Sequence, residues 1–265
     1  MNHLKCDSAL ICFGTLGDGK PLVLIPGFAS GAWSWKWQVE ELSKNFKVIT
    51  FDPRGISHST ITESGNFTIS GIVEDITCVL KAINAESAHI MGVSFGGFVA
   101  QEFAVRFPDM TDKLVLASTS FGGPNHVPPS MQVLSAFATT DGLNSHERIR
   151  QYLTMAFSPE YVSIHAGVVD EFCRLREENI VPEDVYMAQL RAAMTFDGQP
   201  DLSSIRSETL VITGDNDTIV PMENSLNLAA AIPNVRLEII PEGSHMVFVE
   251  QAAEFNAIVG RFLKN

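Results

Sequence analysis

The chain has no long apolar run. Its uninterrupted hydrophobic stretches are only a few residues long, far below the roughly 20 that a membrane-crossing helix needs, so no membrane role is expected. Positive charge is scarce: 18 Lys and Arg stand against 31 Asp and Glu, a formal net charge of −13. A nucleic-acid or anionic-membrane partner would call for the opposite balance, and neither is expected. Cysteine is sparse as well. Cys6, Cys12, Cys78 and Cys173 are scattered, with no Cys-x-x-Cys and no paired histidine spacing. That pattern predicts no disulfide framework and no metal site; it predicts reduced thiols and a cytoplasmic location. Met1 to Phe13 carries Asp7 and lacks the apolar core of a secretory signal, so none is expected there. Repeats, low-complexity segments and charged tails are missing too.

What is present describes an ordinary globular chain. Its 265 residues are 45% hydrophobic and 18% charged, enough for a sizeable core in one large α/β domain or two small ones. Ala9 to Phe13 reads as a short strand, with Gly17-Asp18-Gly19 as the turn after it. Pro21-Leu-Val-Leu-Ile-Pro26 is a continuous apolar run, as expected of a strand covered on both faces. Trp35, Val39 and Leu42 keep helical spacing, and Phe46 to Phe51 is the next strand. From Thr68 to Ala85 apolar residues recur every three or four positions, an amphipathic helix with Thr68 as its N-cap. Further strands are expected at Ser87–Val93, Lys113–Ser118, Thr209–Gly214 and Val235–Ile240, and a closing helix at Ala252–Leu263. Strand and helix alternate, which implies a mostly parallel, doubly wound sheet. From Phe121 to about Ser207 the regularity breaks into several helical patterns without a clear strand. Such an insertion would lie over the C-terminal strand ends, as a lid.

One turn organises the chemistry. Gly92-Val93-Ser94-Phe95-Gly96 separates an apolar strand from a helix that Pro108 stops. A serine forced into so tight a turn is strained, and side chains two residues away on either side would collide with it. Glycine at 92 and 96 removes those collisions, and the hydroxyl stands above the sheet edge as a candidate nucleophile. Such a serine needs a base, and the base needs an orienting carboxylate. Two later loops at strand ends can supply them. Gly214-Asp215-Asn216-Asp217 holds two candidate acids, and Glu242-Gly243-Ser244-His245 holds the base.

Taken together, these motifs resemble the α/β-hydrolase superfamily over nearly the whole chain. The matching features are Pro26-Gly27-Phe28, Asp52-x-Arg54-Gly55, Gly92-x-Ser94-x-Gly96-Gly97, Gly214-x-x-Asp217-x-x-x-Pro221, Gly243-Ser244-His245 and Glu250 with Phe255-Asn256. The resemblance implies an α/β fold: a doubly wound, mostly parallel eight-stranded sheet with a helical lid insertion. Residues 1–120 and 208–265 would form the core and 121–207 the cap. It implies Ser94 as nucleophile, Asp217 as acid in preference to Asp215, and His245 as base. Backbone N–H groups of Phe28 and Phe95 would form the oxyanion hole. Ser57 stands where that family usually has a second glycine.

Within the superfamily, Ser94 excludes the relatives that use aspartate. Met246 stands where carbon–carbon bond hydrolases commonly have tryptophan. The chain is similar to 3-oxoadipate enol-lactonases, cofactor-free haloperoxidases (perhydrolases) and small carboxylesterases. The expected pocket walls are Phe28, Trp35, Phe95, Phe98, Phe121, Phe137, Val220 and Met246, with Phe157 and Met194 from the lid. No ring of basic residues occurs among them, so the expected substrate is an ester or lactone with a small to medium, largely apolar acyl part. No cofactor or metal is implied. A perhydrolase, a carbon–carbon bond hydrolase and a small-molecule receptor with the same triad stay open as alternatives, as does assembly into a homodimer.

Overall fold

In the computed structural model of the chain, residues 1–62, 66–138, 145–179 and 181–265 are described. The strands are β1 (Asn2–Cys6), β2 (Ala9–Leu16), β3 (Lys20–Ile25), β4 (Phe46–Phe51), β5 (Thr60–Ile61), β6 (Ala88–Val93), β7 (Thr111–Ala117), β8 (Glu208–Gly214) and β9 (Val235–Ile240). The principal order across the sheet is β1-β2-β4-β3-β6-β7-β8-β9, and the two-residue β5 pairs with β2 off this path. From β4 to β9 all neighbours are parallel, while β2 runs antiparallel to β1 and β4. The central strands are largely apolar because helices cover both faces. Every residue of β6 is buried, as are all of β8 after its first.

The helices that pack on this sheet are α1 (Lys36–Leu42), α2 (Ile69–Ala82) and α3 (Phe95–Arg106). Between β7 and β8 come α4 (Met131–Ala138), α5 (Ser145–Ala156), α6 (Pro159–Ile164), α7 (Ala166–Glu178) and α8 (Glu183–Thr195). After β8 follow α9 (Glu223–Ala231), α10 (Val247–Glu250) and α11 (Ala252–Lys264). Helices α4 to α8 form a lid-like region, and a bridge between Gly122 and Asp197 ties its two ends together. The start of α2 is set as the sequence predicts: the Thr68 hydroxyl accepts from the Gly71 amide at 2.9 Å. That satisfies one of the donors a helix start leaves unpaired. Arg54 in turn grips α2, donating to both Asp75 carboxylate oxygens at 2.8 Å with both side chains buried. This explains the Asp52-x-Arg54-Gly55 motif as a fastener of the loop after β4. Ser57 takes a left-handed conformation, φ 50°, which accounts for the family's preference for glycine there.

Two findings depart from the sequence expectations. β1 is a strand that its mixed composition did not suggest. More consequentially, Cys6 of β1 and Cys78 of α2 are joined in a disulfide, against the expectation of reduced thiols throughout. The pair is 72 residues apart in sequence, with no local spacing to announce it. Only the docking of α2 against β1 brings the two sulfurs together. Cys12 and Cys173 are free and buried. Closing a loop of this length restricts the unfolded chain by up to about 4 kcal/mol. Replacing both cysteines by serine is expected to lower the unfolding free energy by an amount approaching that figure, measured by urea denaturation of the oxidised protein. Identical midpoints for the two proteins would show that the link contributes nothing.

His89 on β6 supplies a pH dependence. Its ring packs edge-on against Phe46, centroids 5.7 Å apart, and its Nδ1 is buried without a partner. Burial pushes the imidazole from its ordinary 6.5 down to about 4. The unfolded chain therefore takes up a proton below pH 6.5 that the folded chain refuses until about pH 4. Stability falls as pH drops through that window. Between pH 7 and pH 4.5 the native protein is expected to lose about 2 kcal/mol more than a His89→Leu protein. Urea titrations at the two pH values measure the difference, and parallel losses would contradict it.

Candidate active site

Ser94 sits at the joint between β6 and α3 with φ 53° and ψ −121°. That positive φ is strained for a residue with a Cβ, and the surroundings hold it in place. The Ser94 amide donates to the Ala117 carbonyl at 2.9 Å. Its carbonyl accepts from the Gly97 amide at 2.8 Å and from the Thr119 hydroxyl at 2.7 Å. The glycines on either side are sterically required. A Cβ on Gly92 would lie 2.1 Å from the Gly96 carbonyl oxygen, and one on Gly96 would lie 2.2 Å from that of Ile25. Ser94 itself remains partly exposed.

The loop after β3 lies beside this turn. A Cβ on Gly27 would stand 3.5 Å from the Ser94 Cβ, and the Phe28 ring meets the Phe95 ring edge-on at 6.3 Å. Phe95 is the first residue of α3, so its amide is among the N–H groups a helix start leaves unpaired. Ala29, at φ 49°, follows Phe28, and its amide donates to the Gln189 side chain of α8 at 2.8 Å.

Strands β8 and β9 deliver the other two groups. The His245 Nδ1 lies 2.9 Å from the Asp217 Oδ2, and both residues are buried. The Asp217 Oδ1 accepts from the Ile219 and Val220 amides at 2.9 and 2.8 Å. Both carboxylate oxygens are thus engaged, and the carboxylate is fixed in orientation. With Nδ1 held by Asp217, the Nε2 is the imidazole nitrogen left for proton transfer. Asp215 is exposed. The His245 loop is tied down by Glu250, whose carboxylate accepts from the Ser244 amide and from the Ser158 amide at the start of α6.

The expected pocket residues divide. Phe98 stacks on Phe196 at 4.5 Å and meets Phe95 at 6.1 Å, so it belongs to the group around the turn. Val220 is partly exposed, while Phe121 and Met246 are buried close to the loops just described. Trp35 is not a pocket wall: it is fully buried in the core against Phe248. The reason is its place on the inward stripe with Leu42, the spacing that marks it as helical. Phe157 packs inside the cap between Tyr161 and Phe172, and Met194 is 78% exposed on the outer side of α8. Phe137 falls in α4, but its side chain lies outside the described residues.

One cap residue outside the expected pocket walls stands against the loop after β3. Tyr186 of α8 meets Phe28 edge-on at 4.9 Å. Two cavities, of about 420 and 550 Å³, open between α8 and the segment after β4, and neither is lined by Ser94, Asp217 or His245. Among the described residues one group could offer metal ligands, Cys12, Asp52 and His58. There Asp52 is already committed, to the Ala32 amide and to the His58 ring and amide.

The two candidate acids differ in setting, Asp217 buried against His245 and Asp215 exposed. Asp217→Asn is expected to lower kcat by about 10⁴-fold, because the amide holds the imidazole in the wrong tautomer and cannot stabilise its cation. Asp215→Asn, at an exposed turn, is expected to leave kcat within a few-fold. Steady-state hydrolysis by the two purified, folded proteins decides, and reversed severities would move the acid to Asp215.

The alpha/beta hydrolase fold family model matches residues 20–252. The chain is 30% identical to the 2-hydroxymuconate semialdehyde hydrolase of Pseudomonas sp. (strain CF600), over 93% of this chain and 88% of the relative. It is 28% identical to a provisionally named carbamate hydrolase, RutD, of Caulobacter sp. (strain K31), over 94% of this chain and 92% of that one. Among solved structures, the enol-lactonase of Burkholderia xenovorans LB400 superposes with a TM-score of 0.86 over 100% of both chains at 22% identity, a likeness of fold. The chain belongs to the alpha/beta hydrolase fold family and is a hydrolase.

Proposed function

We propose that the protein cleaves a carboxylic ester or lactone with a small to medium, largely apolar acyl part, through an acyl-enzyme on Ser94. The observation that carries this reading is the buried Asp217–His245 pair, at 2.9 Å, delivered by neighbouring strands toward the strained turn of Ser94. In the proposed sequence His245 Nε2 takes the Ser94 proton as Oγ attacks the acyl carbonyl. The negative charge that develops on the carbonyl oxygen is received by the Phe28 and Phe95 amides. Collapse expels the alcohol, which takes the proton back from His245. A water then repeats the cycle, giving up its proton to His245 and releasing the acid. Asp217 keeps its charge throughout and stabilises the imidazolium.

Helices of 121–207 serve in this reading as a cap over the cleft. Its support is the contact of α8 with the loop after β3 through Gln189 and Tyr186. Carbon–carbon bond cleavage is the second reading, favoured by the 30% identity to the semialdehyde hydrolase. Met246 after the base speaks against it. A cytoplasmic location is also part of the proposal. The free thiols Cys12 and Cys173 agree with it, and the Cys6–Cys78 disulfide speaks against it.

Removing the Ser94 hydroxyl is expected to lower turnover of acyl esters and lactones by at least about 10³-fold. A hydrolysis panel graded by acyl length, run on native and Ser94→Ala protein side by side, measures it. Near-native hydrolysis by Ser94→Ala would rule out the nucleophile.

A further inference from the structure

Thr119 reaches the nucleophile turn from a neighbouring strand. The chain leaves β7 through Ser118, whose backbone is left-handed at φ 44° and whose amide donates to the Ile212 carbonyl of β8. The next side chain, Thr119, is buried and lies against the first turn of α3. A Cβ on Gly97 would stand 2.4 Å from the Thr119 Oγ1 and 2.5 Å from its Cγ2. Glycine at 97 therefore admits Thr119, even though glycine weakens a helix. The turn itself accounts for Gly92 and Gly96; the Gly97 that completes the motif answers to Thr119. The hydroxyl proton has one destination. Thr119 Oγ1 lies 2.7 Å from the Ser94 carbonyl oxygen and 3.5 Å from that of Ser120. Both oxygens can only accept, so the hydroxyl donates, and the shorter contact takes the proton.

The Ser94 carbonyl and the Phe95 N–H are two ends of one planar, trans peptide unit. The Ser94 ψ of −121° is the torsion that aims this unit relative to the serine side chain. Two donors hold its oxygen, the Thr119 hydroxyl and the Gly97 amide at 2.8 Å, and together they fix that torsion. They also polarise the unit. A carbonyl that accepts hydrogen bonds makes the N–H of its own peptide a stronger donor. In the other proposed oxyanion donor, the peptide that carries the Phe28 N–H, the Gly27 carbonyl is held by the Ser30 amide at 3.2 Å. The Ser94–Phe95 unit is thus held by shorter bonds, and a side chain from β7's end supplies one of them.

We infer that Thr119 is a positioning residue for the oxyanion: through the Ser94 carbonyl it aims and strengthens the Phe95 N–H, without itself touching the substrate. The inference rests on the reading of Ser94 as the nucleophile and of the Phe95 amide as an oxyanion donor. A preorganised donor is worth most when it needs no reorientation at the moment charge develops. The Thr119 hydroxyl supplies that preorganisation from the far side of the peptide. Filling of space beside Gly97 would ask nothing of the hydroxyl, so the two roles differ in what Thr119→Ser preserves.

The test sets Thr119→Ala beside Thr119→Ser. Both lose the methyl group, and only Thr119→Ala loses the hydroxyl. Acylation and deacylation each pass through the oxyanion, so the two steps slow together. In Thr119→Ala, kcat for p-nitrophenyl butyrate is expected to fall about tenfold with KM unchanged, the worth of one hydrogen bond. Loss of a direct oxyanion donor costs more, about 10²- to 10³-fold. Thr119→Ser is expected to stay within a few-fold of native. A second readout isolates the oxyanion. An alkyl trifluoromethyl ketone takes the Ser94 oxygen onto its carbonyl carbon, the serine proton passes to His245, and the charge rests on the ketone oxygen. The matching trifluoromethyl carbinol cannot add. Thr119→Ala is expected to weaken inhibition by the ketone about tenfold and to leave inhibition by the carbinol unchanged. Equal falls in the two variants, a fall in kcat with ketone inhibition unchanged, or native kcat in Thr119→Ala would each overturn the role. Should Thr119→Ala fail to fold, Thr119→Val, which keeps the volume, is compared with Thr119→Ser on the same readouts. Ser94→Ala is run beside them. Retained butyrate hydrolysis there brings down the nucleophile, a result read separately from the difference between the Thr119 variants.

Discussion

The backbone of Ser94 is the constraint from which the rest of the site follows. At φ 53° the residue is held where an L side chain is strained, and the strain is borne by its setting. Gly92 and Gly96 leave room for the chain to double back, with prospective Cβ positions only 2.1 and 2.2 Å from neighbouring carbonyl oxygens. The Ala117 carbonyl and the Thr119 hydroxyl, both from the end of β7, clamp the peptide units on either side. Because β6 is central and wholly buried, the turn has a rigid base. The parallel order of β6, β7, β8 and β9 then puts the loops bearing Asp217 and His245 on the same edge of the sheet. Parallel pairing gives these loops a common end, and that is why residues so distant in sequence converge.

The cap is fastened to this edge by polar contacts as well as by a shared apolar layer, in which Phe172 packs on Trp33 and Trp37 and Phe196 stacks on Phe98. Gln189 holds the Ala29 amide, Glu250 bridges the Ser158 and Ser244 amides, and the Met246 amide donates to the Ala156 carbonyl at 3.2 Å. Each of these ties runs from a cap helix to a loop carrying a proposed catalytic group. Movement of α8 would therefore disturb the loop of Phe28 directly, and movement of α5 or α6 the loop of His245.

Much of this was legible in the sequence where local rules and fold rules coincide. The apolar runs at Leu22–Ile25 and Leu114–Ala117 read as buried strands because both faces are covered. The Thr68 cap and the pattern from Ile69 to Leu80 fixed α2 because an amphipathic helix repeats a simple period. The elbow was legible because its glycines answer a steric need that few other contexts impose. Where side chains meet across long sequence separations, the pattern was silent. The Cys6–Cys78 link depends on how α2 docks on β1, which no spacing encodes. Trp35 was misplaced because an aromatic next to a site motif looks the same whether it faces the cleft or the core.

The central claim is that the strained turn presents Ser94, and no other hydroxyl, as the nucleophile. Its most direct test is reaction of the native protein with a p-nitrophenyl alkylphosphonate, followed by intact-mass measurement and peptide mapping. A single adduct is predicted, stoichiometric with p-nitrophenol release and located on the peptide at Ser94, with hydrolytic activity lost in step. An adduct on any other residue, or full inactivation with Ser94 unmodified, would contradict the account.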